Sequence, residues 1–313
     1  MTWVAWRQHR LSLLVVFALV LVTAAVMLWF RIAALDHLAA AGIEGCVRVE
    51  GERCPQGAMA SFADAFEGYA RNFPMVLLGL PALLGMFTGA PLFARDFEQG
   101  THILGLTQSI SRLRWWSVKV AVVGLPTVAS MFALGLFSAW AFDPLYYVTR
   151  GSLLTPAFET QGPVLGAYTA LAFAIGTTAG LVLRNTVGAM ALTLVLYLVL
   201  MVGVGVAARS HYAEPAHVTA SAERETSPVP DDAWRLGSVY YDEQGAVVPF
   251  NPSACQDGDT SATCLTRQGV VEQRTAFHPA DRFWLFQGVE SAIHLVVGAA
   301  LLGVGLWRVG RIA

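Results

Sequence analysis

The sequence predicts an all-α integral membrane protein: six transmembrane helices, a short N-terminal in-plane helix, and a small disulfide-stapled extracellular cap with some β-hairpin content. Three observations predict this class. First, 55% of the 313 residues are hydrophobic and only 13% are charged, whereas soluble domains carry about 25% charged residues. Second, six apolar runs lie at about 11–30, 73–93, 118–142, 164–183, 186–208 and 284–307, and about 20 residues suffice to cross a bilayer core of about 30 Å. Third, the net charge of -2 hides a segregation. Arg7, Arg10, Arg95, Arg112, Arg114, Lys119, Arg184, Arg308 and Arg311 fall on one side of the six runs, with only Asp96 and Glu98 among them. Basic residues near span ends mark the cytoplasmic side, so both termini are expected in the cytoplasm of a multi-pass plasma-membrane protein. The whole chain, 1–313, reads as one transmembrane domain, with external loops at 31–72 and 209–283.

The elements follow in order. Thr2 to Arg10 is short and amphipathic, with Trp3 and Trp6 as interfacial residues and Arg7 and Arg10 suited to headgroups, which predicts a helix in the membrane plane. Leu11 to Phe30 is the first span; a cleaved signal peptide is the alternative, although its apolar core would be about 7–15 residues. The first external loop holds Cys46 and Cys54, and Phe62, Phe66 and Tyr69 recur at helical steps, which predicts an amphipathic helix on the outer surface. The second span carries Pro74, Pro81 and Pro91 with Gly79, Gly85 and Gly89. Prolines kink helices and small residues permit close approach, so this span suits either a moving bundle or a tightly packed static one.

Ala94 to Lys119 is a polar loop between the second and third spans, and it is the stretch on which the functional reading turns. Phe97, Thr101, Leu104 and Gln108 recur at helical steps, which predicts an exposed helix facing the cytoplasm. It is either a docking element for a cytoplasmic partner or an ordinary basic loop that sets topology. Asp143-Pro144 ends the third span, and Arg184-Asn185 is a tight inner turn between the fourth and fifth. In the second external loop, Val239 to Phe250 reads as a hairpin turning at Glu243-Gln244-Gly245. All four cysteines fall outside the spans. An even number of extracytoplasmic cysteines reads as disulfides; three pairings are open, and Cys46–Cys54 with Cys255–Cys264 keeps each pair within one loop. A zinc site is the rival, without a histidine at ligand spacing.

Catalytic signatures are missing from the sequence. It has no G-x-x-x-x-G-K-[ST] phosphate loop, no H-E-x-x-H and no G-x-S-x-G, so no enzymatic activity, metal or cofactor is expected in this chain, and nothing points to nucleic acid. Glu290 and His294 lie four residues apart in the sixth span, near Gln287 and Ser291. Ionisable groups at membrane depth face a bundle interior or a water cavity. The patch is therefore either a substrate- or proton-contacting site or a polar seam that fixes helix packing near the outer interface.

The loop residues GAPLFARDFEQGTHILGLTQSISRLRWWSVK, Gly89 to Lys119, resemble those of actinobacterial ABC type-2 exporter permeases. The matching positions are Arg95, Asp96, Glu98, Gly100, Thr101, Thr107, Gln108, Ser109, Arg112, Arg114 and Trp115. The stretch FHPADRFWLFQGVESAIHL, Phe277 to Leu295, resembles the entry to that family's last span and includes Glu290; WRQHR, Trp6 to Arg10, is a third likeness. The resemblance implies a permease working as a dimer, each copy paired with a separate cytoplasmic ATPase that binds ATP and Mg. It implies that the loop, with Arg95, Asp96, Glu98, Gly100, Thr101, His102, Thr107, Gln108, Ser109 and Arg112, docks on that ATPase as a coupling helix, Glu98 holding the loop and Arg95 anchoring the second span. The cargo would be amphipathic or hydrophobic and move outward. The reading from another class is a membrane-anchored sensory or ligand-binding protein signalling to a cytoplasmic partner.

Overall fold

A computed structural model describes residues 2–46, 55–101, 111–149, 151–223, 229–256 and 260–311. Among these, six helical stretches are long and apolar enough to cross a membrane: Thr2–Ala41, Gln56–Glu98, Arg112–Ala141, Val164–Leu183, Thr186–His211 and Ala280–Gly310. The chain divides into two compact units, one of Met1–Thr149, Thr155–Arg209 and Trp284–Ala313, the other of Arg150–Leu154 and Ser210–Phe283.

The first unit begins with α1, Thr2–Ala41, a single helix of 40 residues. The expected in-plane helix over Thr2–Arg10 is overturned here. No glycine or proline lies between Thr2 and Ala41, so nothing breaks the backbone hydrogen bonding where the charged start meets the apolar run. At 1.5 Å per residue the helix is about 60 Å long, enough to carry both segments along one axis. It stops at Gly42, whose φ of 66° is the left-handed conformation that glycine adopts freely. Ile43 N–H donates to the Leu38 carbonyl at 3.0 Å and Gly42 N–H to that of Ala39 at 3.1 Å. Leu38 and Ile43 are both buried beside each other in one cluster, which completes a Schellman stop.

The second transmembrane stretch comprises α2, Gln56–Leu84, a π-helical turn at Gly85–Gly89, and α3, Pro91–Glu98. Phe62, Phe66 and Tyr69 do not form a separate surface helix. They are early turns of α2, and their aromatic face packs on α1: the Phe62 and Phe66 rings lie 5.7 and 5.9 Å from His37, and Tyr69 stacks on Phe30 at 3.7 Å. The stripe thus buries its area against protein, a larger gain than lying half-exposed.

Next come α4, Arg112–Ala141, capped by the Ser111 hydroxyl accepting from Arg114 N–H at 3.3 Å, and the short helices α5, Tyr146–Thr149, and α6, Ala157–Thr160. A turn of 3-10 helix at Asp143–Leu145 follows α4, at the predicted stop. The central helix is α7, Val164–Leu183, buried over nearly its whole length. It meets the π-helical turn backbone to backbone. A Cβ on Gly85 would lie 2.6 Å from the Ala172 backbone, and one on Gly176 would lie 2.5 Å from the Gly85 carbonyl oxygen, so both positions exclude any side chain. Arg184 takes a left-handed φ of 54° and Asn185 caps the next helix, its side chain accepting from Gly188 N–H at 2.7 Å. This is the predicted tight turn into α8, Thr186–Ala207.

In the second unit, β1 (Ala216–Ser221), β2 (Trp234–Tyr241), β3 (Val247–Val248) and β4 (Glu272–His278) form an antiparallel sheet in the order β1-β4-β2-β3. The β2–β3 hairpin turns where predicted. Asp242 Oδ1 accepts from Gln244 and Ala246 N–H at 2.9 and 2.8 Å, and Gly245 has φ 77°. A short helix α9, Ser261–Arg267, carries Cys264, which is disulfide-bonded to Cys255. The chain then enters α10, Phe283–Gly310.

Candidate functional site

Two polar constellations occur in the first unit. One lies where the start of α4 and the end of α10 meet the start of α1: Leu13, Trp115, Trp116 and Val309 share a buried cluster with Leu92 and Phe93, and Arg112 Nη1 donates to the Gly310 carbonyl at 3.2 Å. Within it, Asp96 on α3 forms an ion pair with Lys119 on α4. Lys119 is only 5% exposed. Its ammonium also donates to the Leu92 carbonyl at 3.4 Å and lies 5.4 Å from the Trp115 ring centre. A buried ammonium needs such partners, because charge without compensation is costly to bury.

Glu98, at the end of α3, reaches the start of α8. One carboxylate oxygen accepts from Thr186 N–H and the other from the Thr186 hydroxyl, each at 2.7 Å. A helix N-terminus leaves its first amides without internal partners and favours negative charge, so Glu98 supplies from another helix what a local cap does not reach. The neighbouring Arg184 guanidinium lies 5.0 Å from the Phe97 ring centre. The end of the second span is therefore fastened to the fourth–fifth turn and, through Asp96, to the third span.

Of the other loop positions singled out in the sequence, Arg95 is exposed. Gly100 has φ 68°, and the Thr101 hydroxyl donates to the Asp96 carbonyl at 3.4 Å. Trp115 packs its ring 4.9 Å from that of Phe93. His102, Thr107, Gln108 and Ser109 lie outside the described residues, and with them most of the expected exposed helix. Thr186 and Lys119 were not among the named site residues; nothing in their own sequence neighbourhood marks them, since their partners lie on other helices.

The second constellation surrounds Glu290 on α10. Glu290 is completely buried. Arg209, just past α8, grips it with two bonds, Nε to Oε2 at 2.9 Å and Nη2 to Oε1 at 2.8 Å. Arg209 Nη1 also pairs with Glu159 Oε1 on α6 at 2.7 Å, and the guanidinium lies over the Phe158 ring at 4.1 Å. The Tyr168 hydroxyl on α7 donates to Glu290 Oε1. Thr155 donates to Glu159 Oε1 at 2.7 Å. Planar two-point pairing of this kind suits arginine and not lysine.

Gln287, one turn earlier on α10, spans the α6–α7 junction. Its carbonyl oxygen accepts from Val164 N–H at 3.0 Å, and its amide donates to the Phe158 carbonyl at 2.6 Å. His294 donates from Nδ1 to the Glu290 carbonyl at 2.8 Å and sets its ring edgewise on Tyr168 at 4.7 Å. Gln287, Glu290 and His294 thus share one buried face, as their spacing implied. Their partners Arg209, Glu159 and Tyr168 were missed. The available signal was an arginine directly after the apolar run of α8 with a lone acid in the next apolar run.

Cys255–Cys264 is bridged as expected, with Cα atoms 5.3 Å apart. Cys46 is disulfide-bonded, and Cys54 lies outside the described residues. Among the described residues no group of three or more His, Cys, Asp or Glu side chains is placed to hold a metal ion.

Residues 17–209 match a family model described as ABC-2 membrane transporter related. No curated protein and no solved structure matches the chain.

Proposed function

We propose that this chain, which belongs to the ABC-2 membrane transporter related family, is the permease subunit of an ABC exporter in the plasma membrane. Membrane proteins of this family are transport components that work with ATPase partners. In the proposed complex two copies of the chain pair with two cytoplasmic ATPases, both termini lie in the cytoplasm, and an amphipathic or hydrophobic cargo moves outward.

The observation that carries this reading is the pair of hydrogen bonds that Glu98 accepts from the Thr186 amide and hydroxyl. A partner bound to the loop after α3 would need a stiff connection to more than the two spans flanking that loop. Glu98 supplies it to α8, while Asp96–Lys119 ties the two flanking spans, α3 and α4, to each other. Displacement of the loop would then shift three spans together, as energy transfer from a docked motor requires. The sequence holds no phosphate loop of its own, in keeping with a partner that hydrolyses ATP.

The test is co-expression with a candidate phosphate-loop ATPase, followed by co-purification and ATP-dependent transport in reconstituted vesicles. The reading expects a stable complex and ATPase activity that depends on the permease. A chain that binds ligands through its extracellular segments yet recruits no ATPase would instead be a membrane-anchored receptor.

A further inference from the structure

We infer that the layer around Tyr168 is a hydration site, in which bound water completes the hydrogen bonding of Tyr197, Glu159, Ser291 and His294. The Tyr197 hydroxyl on α8, Glu159 Oε2 on α6, and the Ser291 hydroxyl and His294 Nε2 on α10 are all buried, and no group among the described residues hydrogen-bonds them. Tyr168 on α7 lies between them. The Tyr197 ring stands edgewise to it at 6.3 Å and the His294 ring at 4.7 Å. Its hydroxyl donates to Glu290, next to Ser291 in the chain. Glu159 joins the layer through Arg209, which also grips Glu290. Folded interiors leave few buried polar atoms unpaired, because each unmade bond forfeits the hydration that the group had in water.

The chemistry of these atoms selects water. His294 donates from Nδ1 to the Glu290 carbonyl, which leaves Nε2 as an acceptor. Glu159 Oε2 accepts as well, and the two hydroxyls both donate and accept. An apolar guest would satisfy none of them, whereas water donates and accepts at once. The Glu159 charge acts on the Tyr197 hydroxyl, so the two lie within reach of a short water bridge that accepts from the hydroxyl and donates to Oε2. Ser291 and His294, one turn apart on α10, suit a second water that accepts from the serine and donates to Nε2. A buried water needs about two to four polar partners. Tyr69 supplies the dry contrast. Its hydroxyl is also buried without a partner, but its ring lies among those of Phe30, Phe73 and Phe142 at 3.7, 5.0 and 5.2 Å, which give a water little to bond.

A bridging water is nearly as favourable as a direct hydrogen bond, and it re-forms when its partners shift. At Tyr197, α8 thus meets α6 through water, while Arg209, just past the end of α8, holds Glu159 and Glu290 directly. The middle of α8 can then move against α6 without stranding a polar group. The site stands on these contacts alone, and failure to find an ATPase partner would leave it untouched.

The experiment is X-ray hydroxyl-radical footprinting of the full chain in lipid nanodiscs, read residue by residue by mass spectrometry. Radicals form from water where it is bound, so a buried side chain is oxidised when bound water touches it. The expected result is oxidation of Tyr197 and His294 despite their burial. Met27 and Met131, intrinsically more reactive but fully buried in an apolar cluster, are spared. Tyr197 and His294 spared like the methionines, or all four residues oxidised alike, would overturn the proposal. Thermal unfolding in detergent gives a second readout. Y197F removes a partner of bound water and lowers the unfolding midpoint, whereas Y69F removes a hydroxyl from dry surroundings and does not. A Y197F midpoint at or above that of the parent, or an equal fall in Y69F, would overturn the proposal as well.

Discussion

Glu98 and Thr186, 88 residues apart in sequence, are joined by two hydrogen bonds of 2.7 Å, one from the Thr186 amide and one from its hydroxyl. The contact makes the start of one span depend on the end of another. Replacing Glu98 with alanine removes both acceptors and the negative charge at the start of α8. If the loop transmits force as proposed, E98A lowers transport per ATP hydrolysed by about fivefold or more, the low end of typical coupling between sites, without abolishing association with the ATPase. Thr186→Val, which deletes only the hydroxyl donor, should produce a smaller loss. Vesicle transport assayed beside ATP hydrolysis checks both, and undiminished coupling in E98A would refute the mechanical role.

Lys119 and Asp96 test a different property, the rigidity of the same end of the bundle. Lys119 is 5% exposed, and removing its partner, or removing Lys119 itself, strands a charge out of water. K119M should therefore destabilise the folded chain by about 3 kcal/mol, in the range seen when one member of a buried pair is lost. The double variant D96N/K119M leaves no stranded charge and should recover most of that loss. Thermal unfolding in detergent for the two single variants and the double variant measures the coupling, and additive effects would show that the pair is not acting as a unit.

Local features of the fold were legible in the sequence because local chemistry decides them. The Arg184-Asn185 turn, the hairpin at Glu243-Gln244-Gly245 and the Cys255–Cys264 bridge each need only neighbouring residues. The start of α1 misled because Trp3, Trp6, Arg7 and Arg10 have interfacial composition, while helix continuity depends on the missing breakers between Thr2 and Ala41. The stripe Phe62, Phe66, Tyr69 was correctly seen as one helical face, but its partner, α1, is not written in the stripe. The buried site shows the same limit: Glu290 stands out alone in an apolar run, whereas Arg209 lies 81 positions away and looks like the first residue of a polar loop.

That arginine carries a sharp expectation. Arg209 is the only basic side chain paired with Glu290 and Glu159 among the described residues. R209M removes the guanidinium that pairs with both of these buried side chains and should cost about 3–5 kcal/mol of stability. R209K keeps the charge but not the two-point geometry, so it should recover part of the loss and no more. Denaturation in detergent micelles ranks the three proteins, and an R209M chain as stable as the parent would mean that the cluster contributes nothing net.

The second unit should respond to pH through His278. This residue is fully buried, with Nε2 donating to the Ser210 carbonyl at 3.0 Å and Nδ1 accepting from Arg282 at 2.9 Å. Burial first, and then the Arg282 charge, hold its pKa below the ordinary 6.5, against the opposing pull of the Ser210 carbonyl. The unfolded chain therefore binds a proton more readily than the folded one once pH falls below about 6.5, and stability rises with pH where the unfolded state holds more protons. The stabilising effect is full above that value and declines as pH drops through it toward the lower folded-state pKa. Protonation would also place N–H against the Arg282 guanidinium and break their bond. Amide hydrogen exchange in β2 and β4, corrected for intrinsic rates, should show protection falling in this window. H278Q retains a donor and an acceptor without titrating, so its profile should be flat there; an unchanged slope in H278Q would assign the effect to another group.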